Sequence, residues 1–170
     1  DDTPVRLRDA RKRQKCESRI WTYVGDRAHP YTVFDYTANR RRDGPVAFLG
    51  DWKGWLQADA FSGYDCIYAS KNVIEVACMA HARRKFEEAL ATDQEVCNQA
   101  LARIAKLYEL ERGWKELTDG ERKARRQEHA RPLLDEFELW LEAARGRLLP
   151  KSPAGQAVGY ALRNWPALCR

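Results

Sequence analysis

Two aspartates, far apart in the sequence, each lie beside an apolar segment that is typical of a strand. Asp1 precedes a loosely alternating segment that continues to residue 8, and Asp59 ends the apolar segment that begins at Trp55. A carboxylate at the end of a buried strand is costly to desolvate unless it is paired or binds a cation. Mg²⁺ prefers oxygen ligands, so carboxylates carried by neighbouring strands could hold such an ion. The alternative is two ordinary core strands with acids in the adjoining turns.

A second group of polar residues follows the next apolar segment. Cys78 and His81 have Cys-x-x-His spacing, and Arg83, Arg84 and Lys85 come shortly after them. A zinc site would need further ligands, and the sequence has no second Cys-x-x-Cys or histidine pair to supply them. A catalytic thiol–imidazole pair is another interpretation, and a buried thiol beside a helix-capping histidine is a third. The basic triplet could contact DNA phosphates, which provide most of the sequence-independent affinity for DNA, or it could lie on a solvated helix face.

The composition favours one globular domain in a reducing compartment. The chain has 170 residues, of which 44% are hydrophobic, enough to bury a core. Its net charge of +5 suits an anionic partner. The five cysteines form no paired pattern and there is no signal peptide, so we expect a cytoplasmic protein. No apolar segment approaches the ~20 residues that a membrane helix needs, so we expect no membrane association.

The hydrophobic patterns predict strands first and helices second. Residues 1–8 could end a strand, and the charged segment 8–19 is predicted to be a hairpin loop. Residues 40–42 form a basic turn, for which DNA contact is less expected than for the triplet at 83–85. A short helix is predicted at 61–69. Four segments rich in β-branched and aromatic residues are predicted to form one sheet: 20–25, 31–37, 54–59 and 73–77.

The second half of the sequence has the periodicity of helices. Residues after His81 are predicted to be almost all helical, and apolar positions from Cys97 to Tyr108 lie on one face of an amphipathic helix. Thr118 and Glu121 fit a capping box, in which each side chain accepts a hydrogen bond from a free backbone N–H. Pro132 suits the first turn of a later helix. The fold class is therefore α/β, with a sheet in the N-terminal half and a largely helical C-terminal half.

Several motifs, spread over nearly the whole chain, carry a resemblance to a known family. They are DDTPV at 1–5, LQADAF at 56–61 with Tyr64, ACMAHARRKF at 77–86, Leu107-Tyr108-x-x-Glu111, LPKSP at 149–153, and Tyr160-Ala161-Leu162-x-Asn164-Trp165. In this order they resemble the catalytic domain of bacterial insertion-sequence transposases of the IS66 type, which belong to the DDE group. Each motif alone is weak, but the set is specific.

The resemblance implies an RNase H-like fold that cuts and joins DNA with two divalent ions, Mg²⁺ or Mn²⁺. Asp1 and Asp59 match the first and second catalytic carboxylates, and both would be metal ligands. The Cys-x-x-His residues, Cys78 and His81, would brace or line the site. The partners would be DNA, as transposon ends and target, and further copies of the chain in a homo-oligomer. The resemblance divides the chain into a catalytic core with the first two acids at 1–92, a helical insertion at 93–150, and the start of the C-terminal catalytic helices at 151–170.

The sequence departs from the family pattern in two respects. Asp2 stands where the family more often has Glu, which leaves open whether Asp1 or Asp2 is the ligand. The third carboxylate of the family is a Glu in an Asn-Asn-x-x-Glu-Arg context, and these 170 residues contain no such motif. We therefore expect it beyond residue 170, and we expect this segment alone to be inactive. The alternative function is a non-catalytic RNase H-like or helical module that binds DNA or a partner chain.

Overall fold

The structure is a computed structural model that describes residues 1–8, 15–70 and 72–170. It divides into two compact units, Asp1–Glu75 and Val76–Arg170, which we call the N-terminal and C-terminal units. The N-terminal unit contains most of the strands, and the C-terminal unit is built from helices. The mixed α/β class, with strands preceding helices, is therefore confirmed.

A three-stranded antiparallel sheet begins the N-terminal unit. Its strands are β1 (Asp2–Arg8), β2 (Lys15–Val24) and β3 (Thr32–Thr37), in that order across the sheet. Asp2 of β1 lies opposite Trp21 of β2. The run of β-branched and aromatic residues that ends β2 suits a pleated, half-buried surface. The register brings the beginning of β1 beside the most buried part of β2.

The rest of the N-terminal unit consists of short helices and a second sheet. Helix α1 (Asp43–Leu49) precedes strand β4 (Gly54–Ala58), and a 3₁₀ turn (Ser62–Tyr64) leads into helix α2 (Asp65–Tyr68). Strand β5 (Val73–Ala77) pairs with β4 in a two-stranded sheet. Asp59 therefore directly follows a strand, as the sequence predicts.

Two sequence-based predictions about the strands are wrong. The four segments expected to form one sheet do contain strands, but the described strands form two sheets. Alternation of side chains predicts which segments are extended, whereas the pairing of strands depends on long-range backbone hydrogen bonds that alternation does not reveal. The predicted loop at 8–19 is also wrong where it can be compared, because β2 already begins at Lys15. Residues 9–14 of that loop lie outside the described residues.

Trp21 forms the centre of the N-terminal core. Its side chain is 1% exposed, and its indole Nε1–H donates a hydrogen bond to Thr37 Oγ1 at 2.7 Å. The ring packs edge-on against Tyr64, and Ala58 at the end of β4 belongs to the same cluster. A buried indole with its N–H satisfied combines a large apolar surface with a fixed orientation. This core holds the end of β4, and with it Asp59, against the first sheet.

The C-terminal unit contains six helices and a π-helical turn. They are α3 (Met79–Ala89), α4 (Gln94–Gly113), α5 (Asp119–Arg125), the π-helical turn (Arg126–Ala130), α6 (Arg131–Arg145), α7 (Pro153–Arg163) and α8 (Trp165–Leu168). The predicted capping box is present, since Thr118 and Glu121 bond each other's backbone N–H. No helix in the described ranges is long and apolar enough to cross a membrane.

Helices α3, α4, α6, α7 and α8 share a large apolar core. Its fully buried side chains include Phe86, Ile104, Phe137 and Leu141, and Phe137 packs edge-on against Trp165 with ring centroids 5.3 Å apart. Burying a large apolar side chain contributes roughly 1.5–3 kcal/mol each. The helical pattern predicted after His81 is therefore confirmed, and the C-terminal unit has its own hydrophobic core.

The predicted start of a helix at Pro132 has a different form in the structure. Pro132 lies near the beginning of α6, but the chain before it is helical as well, through the π-helical turn. Proline has no N–H to donate, and its ring clashes with the carbonyl four residues earlier. In the wider turn, the Arg131 N–H donates to the Arg126 carbonyl, five residues back. The π-helical turn therefore accommodates Pro132 without ending the helix.

Candidate metal-binding site

The two aspartates singled out by the sequence lie close together within the N-terminal unit. Asp1 directly precedes β1 and Asp59 directly follows β4, although these strands belong to different sheets. A carboxylate oxygen of Asp1 and one of Asp59 lie within 4.8 Å of each other. The fold thus brings together two acids that are 58 positions apart. Their role as metal ligands stays a prediction.

Asp59 is held by hydrogen bonds to both of its carboxylate oxygens. Oδ1 accepts a bond from the Phe61 backbone N–H at 3.3 Å, and Oδ2 accepts one from Arg40 Nη2 at 3.0 Å. Its side chain is 19% exposed. Asp59 is therefore oriented by the fold and still reachable from solvent.

Arg40 bridges two of the acids. Its Nε donates to Asp2 Oδ1 at 2.7 Å while its Nη2 donates to Asp59 Oδ2. The guanidinium carbon lies 4.3 Å from the centre of the Phe61 ring, a cation–π contact. Burial alone lowers the pKa of Arg40, but hydrogen bonds and charges from Asp2 and Asp59 outweigh it and raise the pKa above its usual value. Arg40 is therefore a permanent cation between the two carboxylates.

Asp2 is the most enclosed of the three acids. Its side chain is 3% exposed, and its oxygens accept from Arg40 and from Arg19 Nη1, the latter at 3.2 Å. Asp1 is exposed, and its Oδ1 accepts a bond from the Asp2 backbone N–H at 2.9 Å. Asp2 is thus paired with two arginines, and which of Asp1 and Asp2 would join Asp59 as a metal ligand stays a prediction.

The donor set fits a hard divalent cation. Mg²⁺ binds oxygen at about 2.0–2.1 Å, so two of its ligand oxygens stand at most about 4.2 Å apart. The Asp1 and Asp59 oxygens lie within 4.8 Å of each other, which is of the same order as that separation. Arg40 bonds both Asp2 and Asp59, and Arg19 bonds Asp2.

Tyr64 is a buried phenol that lies near the acids. Burial raises the pKa of Tyr64 well above its usual value, and the charges of Tyr23 and Asp59 raise it further. Tyr68, on the next turn, is affected in the same way by burial and by Glu75 and Asp59. Both phenols stay protonated at any ordinary pH. They can therefore donate hydrogen bonds near the acids but do not act as bases.

Cys78 and His81 lie at the start of α3, within the C-terminal unit. Cys78 is the N-cap residue, and its side chain makes no capping hydrogen bond. Its carbonyl accepts bonds from the backbone N–H groups of His81 and Ala82, so His81 lies in the first helical turn. Both side chains are half-buried. Neither a metal-binding nor a bracing role is tested by this geometry, and both roles stay predictions.

The basic triplet lies on the exposed side of α3. Arg83 pairs with Glu87 one turn later, at 3.0 Å from Nη1 to Oε2. Lys85 Nζ lies 5.9 Å from the centre of the Tyr160 ring. Arg84 is exposed and forms no ion pair with any described residue. All three side chains can thus reach an anionic partner, although Glu87 already offsets the charge of Arg83.

Sequence reasoning missed the importance of Arg40 and Phe61. Arg40 stands in a run of three arginines, and nothing in the spacing distinguishes it from Arg41 or Arg42. Phe61 was recognised only as part of an apolar motif. The Phe61 backbone N–H bonds Asp59 locally, two residues away, whereas the contact of Arg40 with Asp59 requires the turn after β3 to fold towards the end of β4, which is a tertiary property.

Comparison with known proteins points to one family. The sequence profile described as "Transposase IS66 family" matches residues 1–170. The uncharacterized protein y4hP of Sinorhizobium fredii (strain NBRC 101917 / NGR234) is 33% identical to this chain over an alignment 191 residues long. The alignment covers 97% of this chain and 34% of that protein. The uncharacterized protein y4jD of the same strain is 25% identical over 182 residues, covering 99% of this chain and 35% of that protein. This chain spans about a third of these relatives. No solved structure matches.

Proposed function

Because this chain belongs to the IS66 family of transposases, we propose that it forms part of a catalytic domain that cleaves insertion-sequence DNA and joins it to a target. The observation that carries the proposal is the approach of the Asp1 and Asp59 carboxylates to within 4.8 Å. Two acids from distant strand ends that converge on one point would supply two of the ligands for metal-dependent phosphodiester chemistry.

We further infer an RNase H-like arrangement for the catalytic part. The order of strands before helices supports it, and so does the convergence of acids at the beginning of β1 and the end of β4. In this proposal residues 1–92 form the core with the first two acids, 93–150 a helical insertion, and 151–170 the beginning of the following catalytic helices.

Asp1 and Asp59 would hold the divalent cation, Mg²⁺ or Mn²⁺. When bound, paired cations supply a deprotonated water and stabilise the leaving oxygen of a phosphodiester. The Phe61 N–H orients the Asp59 carboxylate, and the protonated Tyr64 lies near that carboxylate. Arg83, Arg84 and Lys85 would contact DNA phosphates, where a point charge or a guanidinium fork binds without reading the sequence. Cys78 and His81 would have the site-bracing or site-lining role that the family resemblance implies.

The first prediction tests Asp59 in the full-length protein. Replacement of Asp59 with Asn should abolish strand cleavage in Mg²⁺ or Mn²⁺, because the amide has the same size but cannot neutralise a cation. The measurement is cleavage of a labelled duplex that carries a transposon end. Asp51→Asn is the matched control, since Asp51 is an exposed turn residue, and it should cleave like the parent.

Both variants should keep the circular dichroism spectrum and melting temperature of the parent protein. Retained cleavage by Asp59→Asn would remove this residue from the catalytic site. The same assay with Asp1→Asn and Asp2→Asn decides between the two possible first ligands. We expect Asp1→Asn to lose cleavage, and Asp2→Asn to lower the melting temperature, because Asp2 is buried between Arg19 and Arg40.

One observation favours a second candidate function, a non-catalytic module that binds DNA or a partner chain. Arg40 already pairs with Asp2 and Asp59, so these acids could serve only to hold the turn after β3. In that case the full-length protein would bind duplex DNA but would not cleave it in either metal. Cleavage that Asp59→Asn abolishes excludes this alternative.

A further inference from the structure

We infer that Arg40 is a built-in competitor of the divalent cation, and that its guanidinium must leave Asp59 when the metal binds. The inference rests on the metal site proposed above. Arg40 Nη2 lies 3.0 Å from Asp59 Oδ2, so the guanidinium already bonds one of the two oxygens through which Asp59 could bind a metal ion. Arg40 would thereby set the metal affinity of the site.

The two acids bound by Arg40 differ in how firmly they hold it. Asp2 is 3% exposed, receives Arg40 at 2.7 Å, and has Arg19 as a second partner. Asp59 is 19% exposed, and its other oxygen accepts only a long bond of 3.3 Å from the Phe61 N–H. A carboxylate that is partly solvated loses an ion pair more cheaply than a buried one. Metal binding would therefore replace only the bond between Arg40 and Asp59.

The position of Arg40 in the chain allows this movement. It lies in the turn between β3 and α1, and its side chain is 37% exposed. The turn itself is fixed by neighbours, since Thr37 Oγ1 donates to the Asn39 carbonyl and the Arg41 N–H donates to Asn39 Oδ1. Rotation of the side chain can thus move the guanidinium away from Asp59 and towards Asp2 while the backbone stays in place.

Electrostatics gives the size of the effect. A guanidinium and a divalent ion about 5 Å apart in a water-like dielectric repel each other enough to change affinity roughly tenfold. Removing the charge of Arg40 should therefore tighten metal binding by about that factor. A residue whose role was only to position Asp59 would have the opposite effect, because its loss would leave the ligand less ordered and weaken binding.

The test is Mn²⁺ binding by the full-length protein, measured by calorimetry and by the loss of the free-ion electron paramagnetic resonance signal. Arg40→Gln should bind Mn²⁺ about tenfold more tightly than the parent. Arg41→Gln removes the same charge from the neighbouring exposed position and should change the affinity less than twofold. Arg40→Lys keeps the charge but cannot bridge both acids, and should lie between the parent and Arg40→Gln.

Asp59→Asn separates the two proposals. If it weakens Mn²⁺ binding while Arg40→Gln binds like the parent or more weakly, the metal site stands and the competitor role of Arg40 is overturned. If Asp59→Asn leaves binding unchanged, the metal site fails and the role of Arg40 fails with it. A measurement on the unmutated protein guards against a variant that does not fold: on addition of Mg²⁺ the ¹⁵Nε–¹H signal of Arg40 should shift, and a signal that stays constant through saturation overturns the proposal.

Discussion

At the scale of single residues, the N-terminal unit contains polar groups that stabilise it unequally. Trp21 has its N–H satisfied by Thr37, whereas the Tyr23 hydroxyl is buried and has no hydrogen-bond partner among the described residues. The Tyr23 ring stacks on Phe48 with centroids 3.8 Å apart. A buried hydroxyl without a partner costs about 1–3 kcal/mol, while the stacked ring is favourable.

We therefore predict that Tyr23→Phe stabilises the protein. The free energy of unfolding at pH 7 should rise by about 1 kcal/mol, because the variant keeps the stacked ring and removes the unsatisfied group. Urea denaturation followed by tryptophan fluorescence measures the change. Tyr31→Phe is the control. Tyr31 is exposed, so this change should leave the free energy of unfolding as it is. A loss of stability in Tyr23→Phe would mean that the hydroxyl has a partner in solution.

The same residue gives a prediction about alkaline pH. Burial raises the pKa of Tyr23 to about 12, with a further contribution from the Asp35 charge. A tyrosine whose folded pKa exceeds its unfolded value of about 10 favours the folded state below pH 10, and that contribution is lost as pH rises to 12. Stability should thus fall between pH 10 and 12, less steeply in Tyr23→Phe than in the parent. Tyr64 and Tyr68 shift in the same direction, so part of the slope should remain.

At the scale of elements, local signals predicted helices and their caps better than strand pairing. The amphipathic face from Cys97 to Tyr108 lies within α4, and the capping box at Thr118 is present, because both depend on residues three or four apart. The prediction of a single sheet was wrong because, among the described strands, β4 pairs with β5 and not with the first sheet. Strand pairing depends on backbone groups that are distant in the sequence. The convergence of Asp1 and Asp59 was predictable from their family motifs and strand ends. The hydrogen bonds of Arg40 to Asp2 and Asp59 were not predictable, since they require a turn whose direction the sequence does not reveal.

The capping box supports a prediction at this scale. Thr118 Oγ1 accepts a bond from the Glu121 N–H at 3.3 Å, and the Glu121 carboxylate accepts one from the Thr118 N–H at 2.9 Å. Thr118→Ala should lower the free energy of unfolding by about 1 kcal/mol, because a free N–H of α5 loses its partner. Chemical denaturation measures this, with Thr118→Ser as the control that keeps the hydroxyl. Equal stability of the Ala and Ser variants would show that the cap contributes nothing here.

At the scale of the whole molecule, the charged groups are divided between the two units. Asp1, Asp2 and Asp59 belong to the N-terminal unit, and the exposed basic triplet belongs to the C-terminal unit. Each unit has its own apolar core. Substitutions at the acids and at the triplet therefore perturb different cores, and their effects on metal binding and on DNA affinity can be measured separately.

The last prediction concerns DNA affinity. We expect the protein to bind duplex DNA without sequence preference through the triplet of Arg83, Arg84 and Lys85, which is exposed in a chain of net charge +5. Each phosphate contact releases counterions, so the logarithm of the binding constant should fall with the logarithm of salt concentration by about 0.9 per contact. Replacing all three residues with Ala should flatten that slope by up to about three units. Arg83 should contribute less than Arg84, because it must first leave Glu87.

The control removes the same charge elsewhere on the C-terminal unit, by replacing the exposed residues Lys106, Arg112 and Lys123 with Ala. It should keep the salt slope of the parent, because net charge alone changes the field around the protein but removes no phosphate contact. Fluorescence anisotropy with a labelled duplex at several salt concentrations measures both variants, after circular dichroism has verified that they are folded. If the two triple variants flatten the slope equally, the affinity comes from net charge, and α3 presents a solvated face and not a DNA-binding surface.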